Sequence, residues 1–309
     1  MRLSRRATGG GAMRINARIF CVVALLQAVC SLPGLAQDAW LPVHGLWVWK
    51  SPTVLAAPHA AEALRDFCQA QSINEVYISV PRSVDSEEEG RLVGVIRPLH
   101  AAHIRVEALL SSTEADEPGK HRDLLLDKVR NILAFNQKHS GARFDGIHLD
   151  VEPQQRPENK GPGNLRFLPG LTDAFRAVCA LAEPAGLTVN ADIQNKLLKG
   201  SVEQRQMLLS AVPRVTLMLY ELDNPEDGHS AEQQEETLRT ASGNFLATAY
   251  KDISDVHLAR MAIALRTADY AARMPEMLRL LDDANRANPH YLGWARHSYN
   301  DTMATPAGQ

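Results

Sequence analysis

The sequence predicts an α/β fold, a (β/α)8 barrel, from three observations. Short β-rich runs alternate with helix-patterned segments, eight such units fit within residues 37–309, and no linker, repeat or low-complexity block divides them. The predicted strands fall at His44–Lys50, Glu75–Val80, Ile104–Leu110, Gly146–Val151, Leu187–Asp192, Val215–Tyr220, Arg260–Thr267 and Tyr291–His297. Between them, apolar residues recur at helical spacing. Ala61, Leu64, Phe67 and Cys68 form one such stripe, and Leu125, Val129, Ile132 and Leu133 another. Two more follow, at Leu171, Phe175, Val178 and Cys179 and at Met274, Met277, Leu278 and Leu281. Strand–helix alternation implies parallel pairing through right-handed crossovers. About ten residues follow the eighth run, so the last outer helix is expected to be missing, or the N-terminal segment to close the barrel. A doubly wound open sheet is the alternative, but no glycine-rich phosphate loop follows the first strand.

Residues 1–36 are expected to be a secretory signal and residues 37–309 the single barrel domain. Arg2, Arg5, Arg6, Arg14 and Arg18 precede an apolar run from Ile19 to Val29, and small residues up to Ala36 complete the pattern. The run is too short for a membrane span, so an exported protein of the periplasm or the extracellular space is expected. Without those residues the chain keeps 28 Lys and Arg against 36 Asp and Glu, a formal charge of −8 rather than −3. That balance disfavours nucleic acid and anionic membrane surfaces as partners. A monomer without a cofactor or metal is expected. Cys68 and Cys179 lie on the apolar sides of helices, where buried thiols are a better expectation than a disulfide.

Chemistry concentrates in Phe144–Pro153 (FDGIHLDVEP). Side chains alternate along a strand, so Ile147, Leu149 and Val151 face the helices while His148, Asp150 and Glu152 face the interior. Glu152 then stands at the C-terminal mouth, where barrel enzymes work. A purely structural strand would carry Val or Ile there, because three interior polar groups cost several kcal/mol unless partnered. Asp150 and Glu152 are about 6.5–7 Å apart along the backbone, so one carboxyl is expected to keep its proton. A protonated Glu can donate to a leaving oxygen, as glycoside cleavage requires.

The run Asp145–Glu152 resembles the family 18 glycoside hydrolase signature D-G-x-D-x-D-x-E, with His148 standing for the second acid. Met218-Leu219-Tyr220-Glu221 is similar to that family's M-x-Y-D, with Glu for Asp. The resemblance is to a divergent, chitinase-like bacterial group. It implies a retaining, substrate-assisted hydrolase acting on an amino-sugar oligo- or polysaccharide. Glu152 would be general acid and then base, and Asp150 would orient the 2-acetamido group. Tyr220 would hydrogen-bond that group, and Asp145 would support the acid network. His148 and Glu221 take positions that would meet substrate.

Further candidates follow from position. Trp49, near the mouth end of the first strand, could stack on a sugar face; packing at the barrel bottom is the alternative. Glu107 and Arg105 share a parity and could pair inside the barrel. Asp192 ends its predicted strand and could touch substrate, and Arg266 could balance the acidic mouth. On the eighth run one phase brings His297 to the mouth and the other Trp294. The loops Gln154–Asn164 and Asp223–His229 are expected to shape substrate entry. Two rival functions remain at this point. One is a carbohydrate-binding barrel without catalysis. The other is a metal-dependent hydrolase, which must recruit other strands because residues at i, i+2 and i+4 span some 13 Å.

Overall fold

Eight parallel strands close into one barrel: β1 (Val43–Val48), β2 (Glu75–Ser79), β3 (Arg105–Ser112), β4 (Gly146–Val151), β5 (Thr188–Gln194), β6 (Arg214–Met218), β7 (Arg260–Arg266) and β8 (Tyr291–His297). The structure is a computed structural model that describes residues 42–81, 86–161, 163–220, 222, 229–254 and 257–304. The expected signal segment lies outside these residues. None of the described helices is long and apolar enough to cross a membrane. β8 pairs with β1 from Val43↔Gly293 to Leu46↔Arg296, so the strands themselves close the ring. Gly293 makes that seam possible. Its φ is 137°, and a Cβ there would lie 2.1 Å from the Val43 carbonyl oxygen.

The outer layer contains α1 (Ala60–Ala70), α2 (Ser86–Ala101), α3 (Lys120–Lys138), α4 (Leu168–Ala182), α5 (Val202–Leu209), α6 (Ala231–Tyr250), α7 (Met274–Asn285) and α8 (Tyr299–Ala304). α5 and α6 start with capping boxes, Ser201 with Gln204 and Ser230 with Gln233, which satisfy free backbone donors. The apolar stripes read from the sequence are buried against the outward faces of the strands, as Leu64, Val129, Phe175 and Leu281 illustrate. Cys68 and Cys179 are buried free thiols in that layer, and burial pushes each up to about 12.

The expectation of a missing last helix is corrected. The six-residue α8 fills that place, with the Tyr299 ring edge-on to Phe67 at 5.2 Å. Its Asn300 clamps the backbone at the end of β1: Trp49 N–H donates to Oδ1 (2.9 Å), and Nδ2 donates to the Trp49 carbonyl (2.8 Å).

The barrel interior has two characters. Trp47, Tyr77, Leu109, Ala264 and Ala295 form an inner apolar cluster, separate from the outer layer. Glu75, Glu107, His148, Asn190, Asp192, Arg214 and Thr216 occupy the remainder, all buried. Gly45 leaves room for the Tyr77 phenol, since a Cβ there would sit 2.3 Å from its oxygen. Tyr77 in turn stacks on the His148 ring at 3.7 Å.

Candidate active site

At the C-terminal end of the strands a pocket of about 370 Å³ is lined by Trp47, Trp49, Asp150, Glu152, Gln155, Asp192, Gln194, Asn195, Met218, Tyr220 and His297. A larger groove of about 440 Å³ between α2 and α3 lies on the outer layer, away from the clustered carboxylates. The pocket gathers side chains from β1, β4, β5, β6 and β8 or the residues just beyond them.

Glu152 follows β4, where Pro153 starts a short 3-10 turn, Pro153–Gln155. That turn folds two amides back onto the carboxyl: Gln154 Nε2 donates to Oε1 (3.1 Å), and Gln155 Nε2 donates to Oε2. Gln194, at the end of β5, donates to Oε1 at 2.8 Å. Burial nevertheless raises the Glu152 pKa above the ordinary value. Asp192 adds to the rise, while the amides of Gln194 and Gln154 and the Lys196 charge oppose it. Asp150 lies well above the ordinary carboxylate range, because of burial and then the charges of Asp192 and Glu152. Both carboxyls that face the pocket thus hold their protons to higher pH than free carboxyls do.

Tyr220 stands just past β6 with a buried hydroxyl that has no hydrogen-bond partner among the described residues. Burial and the neighbouring Asp192, Asp150 and Glu152 charges keep that phenol protonated. Trp49 Nε1 donates to His297 Nε2 at 2.9 Å. The His297 ring proton is therefore on Nδ1, and burial lowers the pKa of this imidazole. Trp49, His297 and Tyr220 together make an aromatic wall, with His297 5.4 Å from the Tyr220 ring.

Beneath the pocket runs a buried chain of charges. Arg214 is bidentate to Glu75 and also donates to Glu107 Oε1 at 3.2 Å. His148 Nδ1 meets Glu107 Oε2 at 3.1 Å, and its Nε2 meets Asp192 Oδ1 at 2.8 Å. Trp47 Nε1 donates to Asp192 Oδ2 at 3.3 Å. Signs alternate along Glu75, Arg214, Glu107, His148 and Asp192. Burial alone would lower the His148 pKa, but Asp192 and Glu107 raise it to about 9, so the ring is an imidazolium.

The structure brings Glu152, Asp150, Tyr220, Trp49, Asp192 and His297 together. Four expectations are corrected, and one falls outside the described residues. His148 is fully buried one layer below the pocket and cannot touch substrate. Asp145 precedes β4 at the opposite end of the barrel. There it accepts from the Val106 amide (2.8 Å) and bonds His100 Nε2 (2.9 Å), so it ties β3 to α2 and does not reach the acid. Trp294 faces outward, stacks on His44 at 4.2 Å and donates to Asp282 at 3.2 Å. Arg105 pairs with Glu75 (3.3 Å), not Glu107, while Glu107 joins the buried chain. Arg266, by contrast, pairs with Asp269 at 2.6 Å in the following turn while its charge acts on Tyr220 and His297 at the mouth. Glu221 lies outside the described residues, as does most of the Asp223–His229 loop.

Sequence reasoning missed Gln194 and the two amides of the 3-10 turn. Gln194 continues the inward parity of Asn190 and Asp192, and β5 runs two residues past its predicted end. Among the described residues no group of three or more His, Cys, Asp or Glu side chains could hold a metal ion.

The buried imidazolium has a consequence for stability. Its folded value of about 9 exceeds the ordinary 6.5. Its contribution is therefore complete below pH 6.5 and is lost as pH rises through about 9. Urea unfolding should show stability declining across that window, by on the order of 3 kcal/mol. The decline should be absent in His148→Gln; a flat profile for the parent would contradict a charged His148.

No protein-family model matches the sequence, and no curated protein matches it. Solved structures match the fold. A GH5_18 protein from Streptomyces cattleya, solved in complex with GlcNAc, aligns over 83% of this chain and 70% of its own at 12% identity, with a TM-score of 0.58. A chitinase from Bacteroides thetaiotaomicron aligns over 85% and 93% at 13% identity, TM-score 0.47. The glycoside hydrolase domain of PgaB (BpsB) from Bordetella bronchiseptica aligns over 86% and 96% at 13% identity, TM-score 0.45. Across such matches the chain spans from 63% to 96% of the other chain's length. The shared fold is a (β/α)8 TIM barrel.

Proposed function

We propose that the protein is an exported glycoside hydrolase that cleaves an amino-sugar-containing glycan with retention of configuration, using the substrate's own acetamido group. The observation that carries this reading is the half-buried Glu152 carboxyl at the end of β4, its pKa raised beside the likewise raised Asp150, facing an aromatic-walled pocket. The resemblance of Asp145–Glu152 and Met218–Glu221 to family 18 supports the same chemistry. Export rests on the signal-like character of residues 1–36.

In the first step the Glu152 proton passes to the glycosidic oxygen as the bond from that oxygen to the anomeric carbon breaks. The acetamido carbonyl oxygen attacks the anomeric carbon and forms a cyclic oxazolinium ion. The Tyr220 hydroxyl, unpartnered among the described residues, donates to the acetamido group, and Asp150 orients it. Gln154, Gln155 and Gln194 hold the Glu152 carboxylate left behind. That carboxylate then takes a proton from water as the water oxygen attacks the anomeric carbon and opens the ring. Trp49 offers an indole face for the apolar side of a sugar.

The test compares N-acetylated, de-N-acetylated and neutral oligosaccharides, with the anomeric configuration of the first product followed by NMR. Cleavage restricted to N-acetylated chains, with retention, is the expected result. Cleavage of neutral chains alone, or inversion, would overturn it. Binding without cleavage would make the protein a carbohydrate-binding barrel.

A further inference from the structure

We infer that Asp192, held from below by His148, is the anion of this pocket, and that His148 is its positioning residue. The inference rests on the proposed reaction and deepens it by assigning the group that faces the cationic intermediate.

The assignment comes from how the carboxyls are partnered. Asp150, two residues from His148 on the same strand, makes no hydrogen bond with it. The imidazole turns to the neighbouring strand, where Nε2 meets Asp192 Oδ1 at 2.8 Å. The other Asp192 oxygen accepts from Trp47 Nε1 at 3.3 Å, so both oxygens are fixed and the carboxylate cannot rotate freely. Asp192 lines the pocket while His148 does not. Its negative charge also acts on the mouth, since it raises the pKa of Asp150, Glu152 and Tyr220.

The charged and aromatic groups around His148 fit this role. Glu107 from β3 and Asp192 from β5 contact it directly, and Tyr77 from β2 covers its ring. Trp47 from β1 meets the ring edge-on at 5.5 Å. Arg214 from β6 neutralises Glu75 and part of Glu107, leaving His148 to neutralise Asp192. Asp150 on β4 lies above it with its pKa raised by burial and by the Asp192 and Glu152 charges, and His297 on β8 feels the Asp192 charge. A carboxylate so placed can accept the acetamido N–H as positive charge builds on that nitrogen. Asp150 lacks the hydrogen-bonded imidazole that holds Asp192, so the two acids divide the work.

The test has two readouts on the full protein. Nitrogen-15 NMR of the His148 side chain should show an imidazolium at pH 7 in the parent and a neutral ring in Asp192→Asn. The pH profile of kcat/KM on an N-acetylated oligosaccharide should show its acidic limb moved to higher pH in His148→Gln, with KM changing less than kcat. The double variant Asp192→Asn/His148→Gln removes both charges together. It should recover unfolding stability relative to either single variant, yet remain at least ~100-fold less active than the parent. A neutral parent imidazole, an unmoved acidic limb, or recovery of activity in the double variant would each overturn the inference. A parent that cleaves none of the N-acetylated substrates overturns the proposed function and this inference with it. An active parent with an unmoved limb overturns this inference alone.

Discussion

Glu152→Gln is expected to lower turnover of an unactivated N-acetylated oligosaccharide by about 10²–10⁴-fold while leaving the fold intact. The amide keeps the shape of the carboxyl and can still meet the turn that holds it, so stability should change little. What it loses is the transferable proton. The loss should therefore depend on the leaving group. An aryl glycoside of an acidic phenol departs with little protonation, so the variant should be impaired much less on that substrate. The sign of the pH effect follows from the same group. The acid acts only while protonated, so parent activity should fall as pH rises through the Glu152 value, which lies above the ordinary 4.5. Steady-state rates on both substrates across pH check this. An equal loss on both would contradict the general-acid role.

Asp150→Asn is expected to inactivate the protein by about 100-fold or more and also to make it more stable at neutral pH. Burial and the charges of Asp192 and Glu152 hold Asp150 well above the ordinary 3.8. A carboxyl whose folded value is raised contributes less as pH rises past its unfolded value, because the unfolded chain ionises freely and the folded one does not. Asparagine removes that penalty and keeps a similar shape. The variant should gain about 1–2 kcal/mol by urea unfolding at pH 8, and less at pH 5. A variant less stable than the parent at pH 8 would contradict the crowding of acids at this mouth. Opposite movements of activity and stability are what a strained functional site produces.

The strands were legible because their inward and outward faces differ in chemistry. β4 and β8 occupy the predicted residues, and the other strands shift by one or two at their ends. The pair of acids on β4 could be read for the same reason, since parity and strand direction alone put Asp150 and Glu152 at the mouth. Partners across strands could not be read. Parity put His148 on the inward face with Asp150, but neighbouring strands run about 4.8 Å apart, and its Nε2 meets Asp192 across that gap, below the pocket. Asp145 belongs to the same motif, but it lies seven residues before Glu152, roughly 20 Å along an extended chain and at the other end of the barrel. Trp294 depended on the phase of β8, which the Gly293 seam and a bulge near Met261/Ala262 set, and neither is visible in periodicity. The short α8 escaped detection because six residues carry too little helical pattern to count as a helix.

The most direct test of the central claim is product analysis by mass spectrometry, with the parent and Glu152→Gln incubated side by side with N-acetylated amino-sugar oligomers. The parent should shorten the oligomers and the variant should leave them intact over the same period. Equal shortening by both proteins would show that the mouth at the end of β4 does not carry the reaction.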